Sequence, residues 1–259
     1  MKSISANLNA DTAEGFGACN IGDDDTIPKI IKSANVACGF HAGDPLMMHS
    51  VVQRAMAEGV SIGAHPGFND LWGFGRRQID MNLAKLEYLI ARQIGALHAL
   101  ASCSNVKVTH VKPHGALNNM AAVREDDAMA IGRALKTVDR DLIYVALAGS
   151  EVEKAGRRLG LPVARERFCD RQYDDDGNLT SRKIPGAMLR DPQAAAWQVI
   201  EMVVNGRILS RNGKSIPCKV DSLCLHGDEP TAIALARTAC EQLEKAGVRI
   251  VRLNEMALD

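Results

Sequence analysis

The segment VTHVKPHG, Val108 to Gly115, runs from an apolar stretch straight into a lysine, a proline, a histidine and a glycine. Four further segments share the layout of an apolar run ending in a polar cluster: NVACGFHAGD (Asn35 to Asp44), VSIGAHPG (Val60 to Gly67), VARERFCDR (Val163 to Arg171) and SLCLHGDEP (Ser222 to Pro230). Most of them are followed by a stretch with helical periodicity. Recurring strand, polar tip and helix is the pattern of a β/α protein whose strands deliver side chains to one shared face. The expectation is therefore an α/β chain folded as a single (β/α) barrel over residues 1–259, distorted or seven-stranded. A doubly wound open sheet is the alternative. No G-x-G-x-x-G or Walker lysine loop follows the first strand, which counts against the nucleotide-binding form of that sheet.

Working outward, Ser3 to Leu8 reads as the first strand and Asn9 to Asp25 as a polar loop. A short helix is expected near Pro28 to Ser33 and a strand over Ala34 to Cys38. Asp44 caps a helix that begins at Pro45 and ends near Glu58, since proline suits the first turn and aspartate the cap. Val60 to Ala64 is strand. Leu83, Leu86, Ile90, Ile94 and Leu97 fall on one face of a helix over Asp80 to Ala101. Strands are expected at Val106 to Val111, Leu142 to Leu147, Val163 to Glu166, Ser222 to Leu225 and Val248 to Leu253, and helices at Glu125 to Val138, Ser150 to Leu159, Asp191 to Asn205 and Thr231 to Ala246. Arg171 to Leu189 has no periodicity, although Asp174 to Gly177 has the composition of a hairpin tip. Gly206 to Pro217 reads as a polar link.

The 259 residues are close to the roughly 250 typical of such a barrel. Lys plus Arg equals Asp plus Glu at 31 each, so no basic field points to nucleic acid or to an anionic membrane. The seven cysteines are scattered without a C-x-x-C pair, which fits reduced thiols and a cytoplasmic protein. No apolar run approaches the ~20 residues of a membrane span. Together these features point to a protein that handles small molecules.

Histidines parked at successive strand ends can converge. His41 lies between Gly39 and Gly43, glycines that let backbone approach a ligand closely, and His65 repeats the arrangement one strand later. Asp11 and Glu14, three residues apart past the first strand, can face one cavity and activate water or hold a cation. His110 and Lys112 share one strand parity, so both side chains face the same side. A lysine there is costly to bury unless it meets a carboxylate or an anionic ligand, and it could stabilise an oxyanion or a phosphoryl group while His114 moves protons. Asp170 is expected to orient a histidine or the Lys112 ammonium. Arg171 and Arg76 offer guanidinium groups to a substrate carboxylate, and Asn9, Gly43, His226 and Asp228 complete the expected substrate contacts. Asp11, His41, His65, His114, Asp170 and His226 could supply a divalent metal site. None shows H-E-x-x-H or another tight spacing, so no metal ligand is assigned and a metal stays an alternative.

The stretches LNADTAEGFG, ANVACGFHAGDP, GAHPGFND with GFGRR, VKPHGALN, FCDRQYDDDGNL and LHGDEP together resemble the LamB/YcsF family, in the family's order and over almost the whole chain. The resemblance implies a barrel of the glycoside hydrolase/deacetylase type. It also implies cleavage of 5-oxo-L-proline to L-glutamate coupled to ATP hydrolysis, with this chain as the A subunit of a 5-oxoprolinase beside partner subunits B and C. ATP would be a co-substrate whose binding can fall to those partners. The same resemblance implies that Asp11, Glu14, His41, His65, Lys112, His114, Asp170, Arg171, His226 and Asp228 line the site. The chain departs from the family pattern at Asn7, where aspartate is usual, at Ala13 and Cys169, and at Asn118 and Arg167, which would change the pocket if they face it. A related lactam or amide is the corresponding alternative substrate. Two further readings are a metal-dependent amidohydrolase or deacetylase, with Asp11, His41 and His65 as ligands, and a non-catalytic lactam-binding subunit.

Overall fold

Alternation along SANLNADT sets the first strand, β1 (Ser5–Thr12), in a computed structural model that describes residues 4–19, 21–225 and 231–258. Successive strand residues face opposite sides. Ala6, Leu8 and Ala10 accordingly join the apolar layer, while Asn7, Asn9 and Asp11 turn into the barrel. The strand expected to stop at Leu8 continues to Thr12, because Asn9 to Thr12 pair with Ser33 to Val36 of β2 (Ser33–Ala37). Polar side chains did not end it: each inward amide finds partners inside the barrel. The helix expected near Pro28 shrinks to one 3-10 turn, Ile27–Lys29.

The chain then runs α1 (Pro45–Ala57), β3 (Ser61–His65), α2 (Leu83–Ser102), β4 (Val108–Val111), α3 (Gly115–Ala121), α4 (Glu125–Val138), β5 (Ile143–Leu147), α5 (Glu151–Leu159), β6 (Val163–Phe168), α6 (Pro192–Val203), β7 (Arg207–Leu209), β8 (Ser215–Pro217), β9 (Ser222–Leu225), α7 (Ala232–Lys245) and β10 (Arg249–Ile250). The Asp44 carboxylate accepts the Leu46 and Met47 N–H groups and so caps α1, as its sequence position predicts. Met48, Val51, Val52 and Ala55 form the buried stripe of that helix. The α2 stripe includes Leu86, Ile90, Ile94 and Leu97. Helix α3 was not expected; its seven residues are too few to display a period.

The sheet closes as a barrel of seven parallel strands in the order β1–β2–β3–β4–β5–β6–β9, with β9 returning to β1. All strand tips therefore share one end. β10 pairs only with Ser5 and Ala6 of β1, below the point where β9 takes over that edge. The last strand is thus two residues long, not Val248 to Leu253. Beyond it a 3-10 turn at Leu253–Glu255 brings Leu253 under the barrel, against Ile143, Val145 and Ala164. Gly206 to Pro217 is no plain link either, since β7 and β8 form an antiparallel hairpin. The Asp174 to Gly177 turn is present, with the Tyr173–Leu179 bridge behind it. Arg167 ties this turn to the barrel through the Gly177 and Ala148 carbonyls. No helix among the described residues is long and apolar enough to cross a membrane, and all seven cysteines are free.

Candidate active site

The barrel interior is a ladder of hydrogen bonds rather than layers of branched apolar residues. At its lower end Asn7 Nδ2 donates to Ser33 Oγ and to the Val251 carbonyl, both at 2.8 Å, while Ser222 Oγ donates to Asn7 Oδ1 at 2.7 Å. One step up, Asn9 Nδ2 donates to Ser222 Oγ at 2.7 Å and to Glu166 Oε1 at 3.0 Å, and Asn35 Nδ2 donates to Asn9 Oδ1 at 2.7 Å. His110 fills the level beside Asn35, with Nε2 3.1 Å from Asn35 Oδ1. The neighbouring strand makes room for this ring with Gly63, where any Cβ would collide with the imidazole.

Above that level sit the charges. Lys112 Nζ donates to Asp11 Oδ1 at 2.8 Å and to Cys224 Sγ at 2.8 Å, and lies 3.3 Å from Glu166 Oε1. Burial alone would drive the ammonium toward neutrality. Asp11, Cys224 and Glu166 outweigh it and hold the lysine pKa well above its ordinary value, so Lys112 is a fixed cation. The Glu166 carboxyl is raised by burial, with Lys112 opposing and Asp11 reinforcing the shift. Asp11 Oδ1 also accepts from Asn35 Nδ2 at 2.9 Å, which sets the orientation of its carboxylate.

Next to this floor lies a histidine cluster. His65 Nδ1 is 2.6 Å from the Lys112 carbonyl, and His114 Nε2 is 2.8 Å from the Phe74 carbonyl. The other two nitrogens, His65 Nε2 and His114 Nδ1, face one another at 3.0 Å. His41 stacks on His114 with centroids 3.7 Å apart and planes 6° apart. Gly75, at φ +62°, permits this packing, because a Cβ there would fall 2.8 Å from both His114 Cδ2 and His41 Cβ. Burial, followed by the neighbouring His65, pushes His114 down to about 3, and burial with its two histidine neighbours pushes His41 well below the usual range. Glu14, His41, His65 and His114 present ligand atoms within 4.8 Å of one another, a set compatible with a metal ion.

The floor opens into a cleft of about 570 Å³ lined by Asp11, Glu14, His65, Lys112 and His114 below and by Arg76, Arg171, Arg182 and Lys183 above. A larger hollow of about 900 Å³ beside α1 touches none of these groups. The exposed cations Arg76, Arg182 and Lys183 therefore stand around the entrance of the cleft, with Arg171 buried in its wall and paired charges at its base. That polarity suits a small anionic ligand.

The structure thus brings Asp11, Glu14, His65, Lys112 and His114 together, with Arg76 exposed at the rim and Arg171 buried in the cleft wall. His41 is fully buried behind them. Asn9 lies beneath Asp11 and positions the acids. Gly43, at φ +82°, packs its Cα against the Ala37 and Ala13 carbonyls and does not line the cleft. Asp170 is buried outside the cleft, and the carboxylate that joins Asp11 at Lys112 is Glu166. His226 and Asp228 lie outside the described residues. Sequence reasoning passed over Glu166, although the parity of VARERF could have found it. Arg165 and Arg167 face away, to Asp221 and to loop carbonyls, which leaves Glu166 inward with Phe168. Of the departures, Asn7 sits at the lower end and Arg167 outside the barrel, while Asn118 does line the cleft.

The sequence profile of the LamB/YcsF family matches residues 6–258. The chain belongs to the LamB/YcsF family. It is similar to the 5-oxoprolinase A subunit of Rhodopseudomonas palustris (strain BisB18), with 50% identity over 244 residues that cover 94% of this chain and 96% of the relative. The 5-oxoprolinase A subunit of Brevibacillus brevis is 48% identical over 250 residues, covering 96% and 98%. Among solved structures, the lactam utilization protein of Thermus thermophilus superposes with a TM-score of 0.92 at 40% identity, over 96% of this chain and 99% of that one. The barrel and its strand order are thus those of a family whose relatives are named for lactam chemistry.

Proposed function

We propose that this chain is the A subunit of a multi-subunit 5-oxoprolinase, opening the lactam of 5-oxo-L-proline to L-glutamate with ATP as co-substrate and subunits B and C as partners. The carrying observation is the layered charge of the cleft: a permanently charged Lys112 between Asp11 and Glu166 at the base, and Arg76, Arg171, Arg182 and Lys183 around it. The relatives' name supplies the substrate class.

In this reading a rim guanidinium grips the ring carboxylate in a fixed orientation. The lactam oxygen, on which negative charge develops as water adds, lies toward the Lys112 ammonium. An unstrained five-membered lactam is a poor electrophile. Phosphorylation of its oxygen by ATP improves the leaving state, and water then adds to the carbonyl carbon. The C–N bond breaks, the ring nitrogen takes a proton to become the α-amine, and a second water cleaves the γ-acyl phosphate that remains into the γ-carboxylate and inorganic phosphate. Asp11, Glu14 or His114 is placed to take the proton from that water.

The test is glutamate release from 5-oxo-L-proline by this chain with ATP, with and without subunits B and C. Release that requires all three chains and ATP supports the proposal. Full release by B and C without this chain, or none with all three, refutes it.

A further inference from the structure

Hydrogen positions in the histidine cluster lead to a site of a different kind. A carbonyl can only accept, so the short contact from His65 Nδ1 to the Lys112 carbonyl (2.6 Å) puts the ring hydrogen on Nδ1. The Phe74 carbonyl, 2.8 Å from His114 Nε2, places that ring's hydrogen on Nε2 in the same way. In neutral rings His65 Nε2 and His114 Nδ1 are then both lone-pair acceptors, yet they face each other at 3.0 Å. Two acceptors at that distance repel unless a proton or a cation lies between them. Backbone carbonyls that fix the outer nitrogen of a histidine are also the usual support of a metal-bound ring.

The surrounding distances decide which cation fits. Glu14 Oε1 lies 3.4 Å from His114 Nδ1 and 4.0 Å from His65 Nε2, and Asp11 Oδ2 lies 3.4 Å from His65 Nε2. Ligands about 2.0–2.1 Å from a tetrahedral ion stand about 3.3–3.4 Å from each other. The observed separations bracket that edge length. His65 and His114 are also nearly perpendicular, at 89°, so two in-plane lone pairs can meet at one point. His41 cannot join them in this arrangement. Its ring is parallel to His114 with centroids 3.7 Å apart, and lone pairs in two parallel planes do not converge on one ion.

We infer that His65 Nε2, His114 Nδ1 and the Glu14 carboxylate form a divalent transition-metal site, with Asp11 beside it and a remaining position facing the cleft. His41 is a positioning residue: it covers His114, and its Nε2 stands 3.8 Å from Glu14 Oε1. Both of its ring nitrogens are buried without a hydrogen-bond partner among the described residues. Two histidines and a glutamate with an open position suit zinc or a similar ion. This goes beyond the lactam reading and does not depend on it.

The test is titration of chelator-treated protein with zinc and with cobalt, followed by calorimetry, elemental analysis after gel filtration, and the visible spectrum of the cobalt form. One equivalent per chain is expected. His114→Gln and Glu14→Gln should lose that stoichiometric binding. His41→Phe, which preserves the stack, should keep one equivalent with affinity lowered by no more than about 10–100-fold. Imidazole ¹⁵N shifts of the wild-type chain provide a check that needs no variant to fold: the metal should move His65 Nε2 and His114 Nδ1. A folded wild-type chain that binds neither ion, and whose ¹⁵N spectrum shows a proton shared by His65 and His114, overturns the site. Loss of binding in His41→Phe as complete as in His114→Gln overturns the ligand assignment. Metal bound without lactam turnover leaves the site standing and counts against the activity alone.

Discussion

The two ends of the barrel interior are built from the same strands and differ in how fully their polar groups are satisfied. At the lower end Asn7, Ser33, Ser61 and Ser222 hydrogen-bond to one another, and Leu253 seals them from below. At the upper end Lys112 meets two carboxylates, two imidazole nitrogens face each other, and His41 has no hydrogen-bond partner among the described residues. β1 carries the gradient by itself, from amide at Asn7 and Asn9 to acid at Asp11. A satisfied polar network makes the structure rigid and specific, whereas buried groups left under-satisfied mark where a ligand completes the site. The lower end is closed scaffold, and the upper end opens into the cleft.

The comparison breaks most sharply at Lys112. Lys112→Met should lower kcat by about a hundredfold to a thousandfold, the usual effect of removing a group that stabilises developing charge. It should also cost about 3–5 kcal/mol of stability, because Asp11 and Glu166 lose their counter-ion. The double variant Lys112→Met/Glu166→Gln should regain stability in denaturant titration but no activity. A single variant with normal turnover would place the chemistry elsewhere. Leu253→Ala probes the opposite end: about 2–5 kcal/mol of stability should go while kcat of the folded fraction holds. A matching fall in kcat would mean that the two ends are coupled.

Acid titration tests the level between them. Burial, with Lys112 and His65 beside it, depresses His110 to about 3. The unfolded chain takes up that proton below about 6.5, the folded chain only near 3, so this contribution to stability is intact above pH 6.5 and is lost as pH falls toward 3, at about 1.4 kcal/mol per pH unit. Thermal melts of wild type and His110→Gln between those limits should diverge in slope, and parallel slopes would remove His110 from the account. The smallest expected effect is at the rim. Arg76→Ala should raise KM about tenfold with kcat little changed, as loss of a charged hydrogen bond to substrate predicts; steady-state kinetics would show instead a pure kcat loss if Arg76 acts on the reacting atoms.

Much of this was legible in the chain. The recurring tips HAGD, AHPG and VKPHG announce a barrel, and the parity of His110 and Lys112 shows which side they face. Glu166 was legible but unread, since the alternation of VARERF points it inward once the strand is carried on to Phe168. Asp170 is the converse case: its place beside a strand tip suggests a group that orients a histidine or the Lys112 ammonium, and the carboxylates at that ammonium are Asp11 and Glu166. Sequence reading offered His65 and His114 as candidates for a metal but assigned no ligand, because Glu14, His65 and His114 come from separate strand ends and have no short ligand spacing.

Local chemistry along the chain, then, determined most of the order of strands and helices and the common end at which the tips gather. Only the closed barrel decided which charges meet, that Glu166 rather than Asp170 stands at Lys112, and that His65 and His114 turn bare nitrogens toward each other. Periodicity is a property of neighbours in sequence. Contacts between residues dozens of positions apart follow from the stagger of the closed sheet, and from the Lys112 and Phe74 carbonyls that take up the outer hydrogen of each ring.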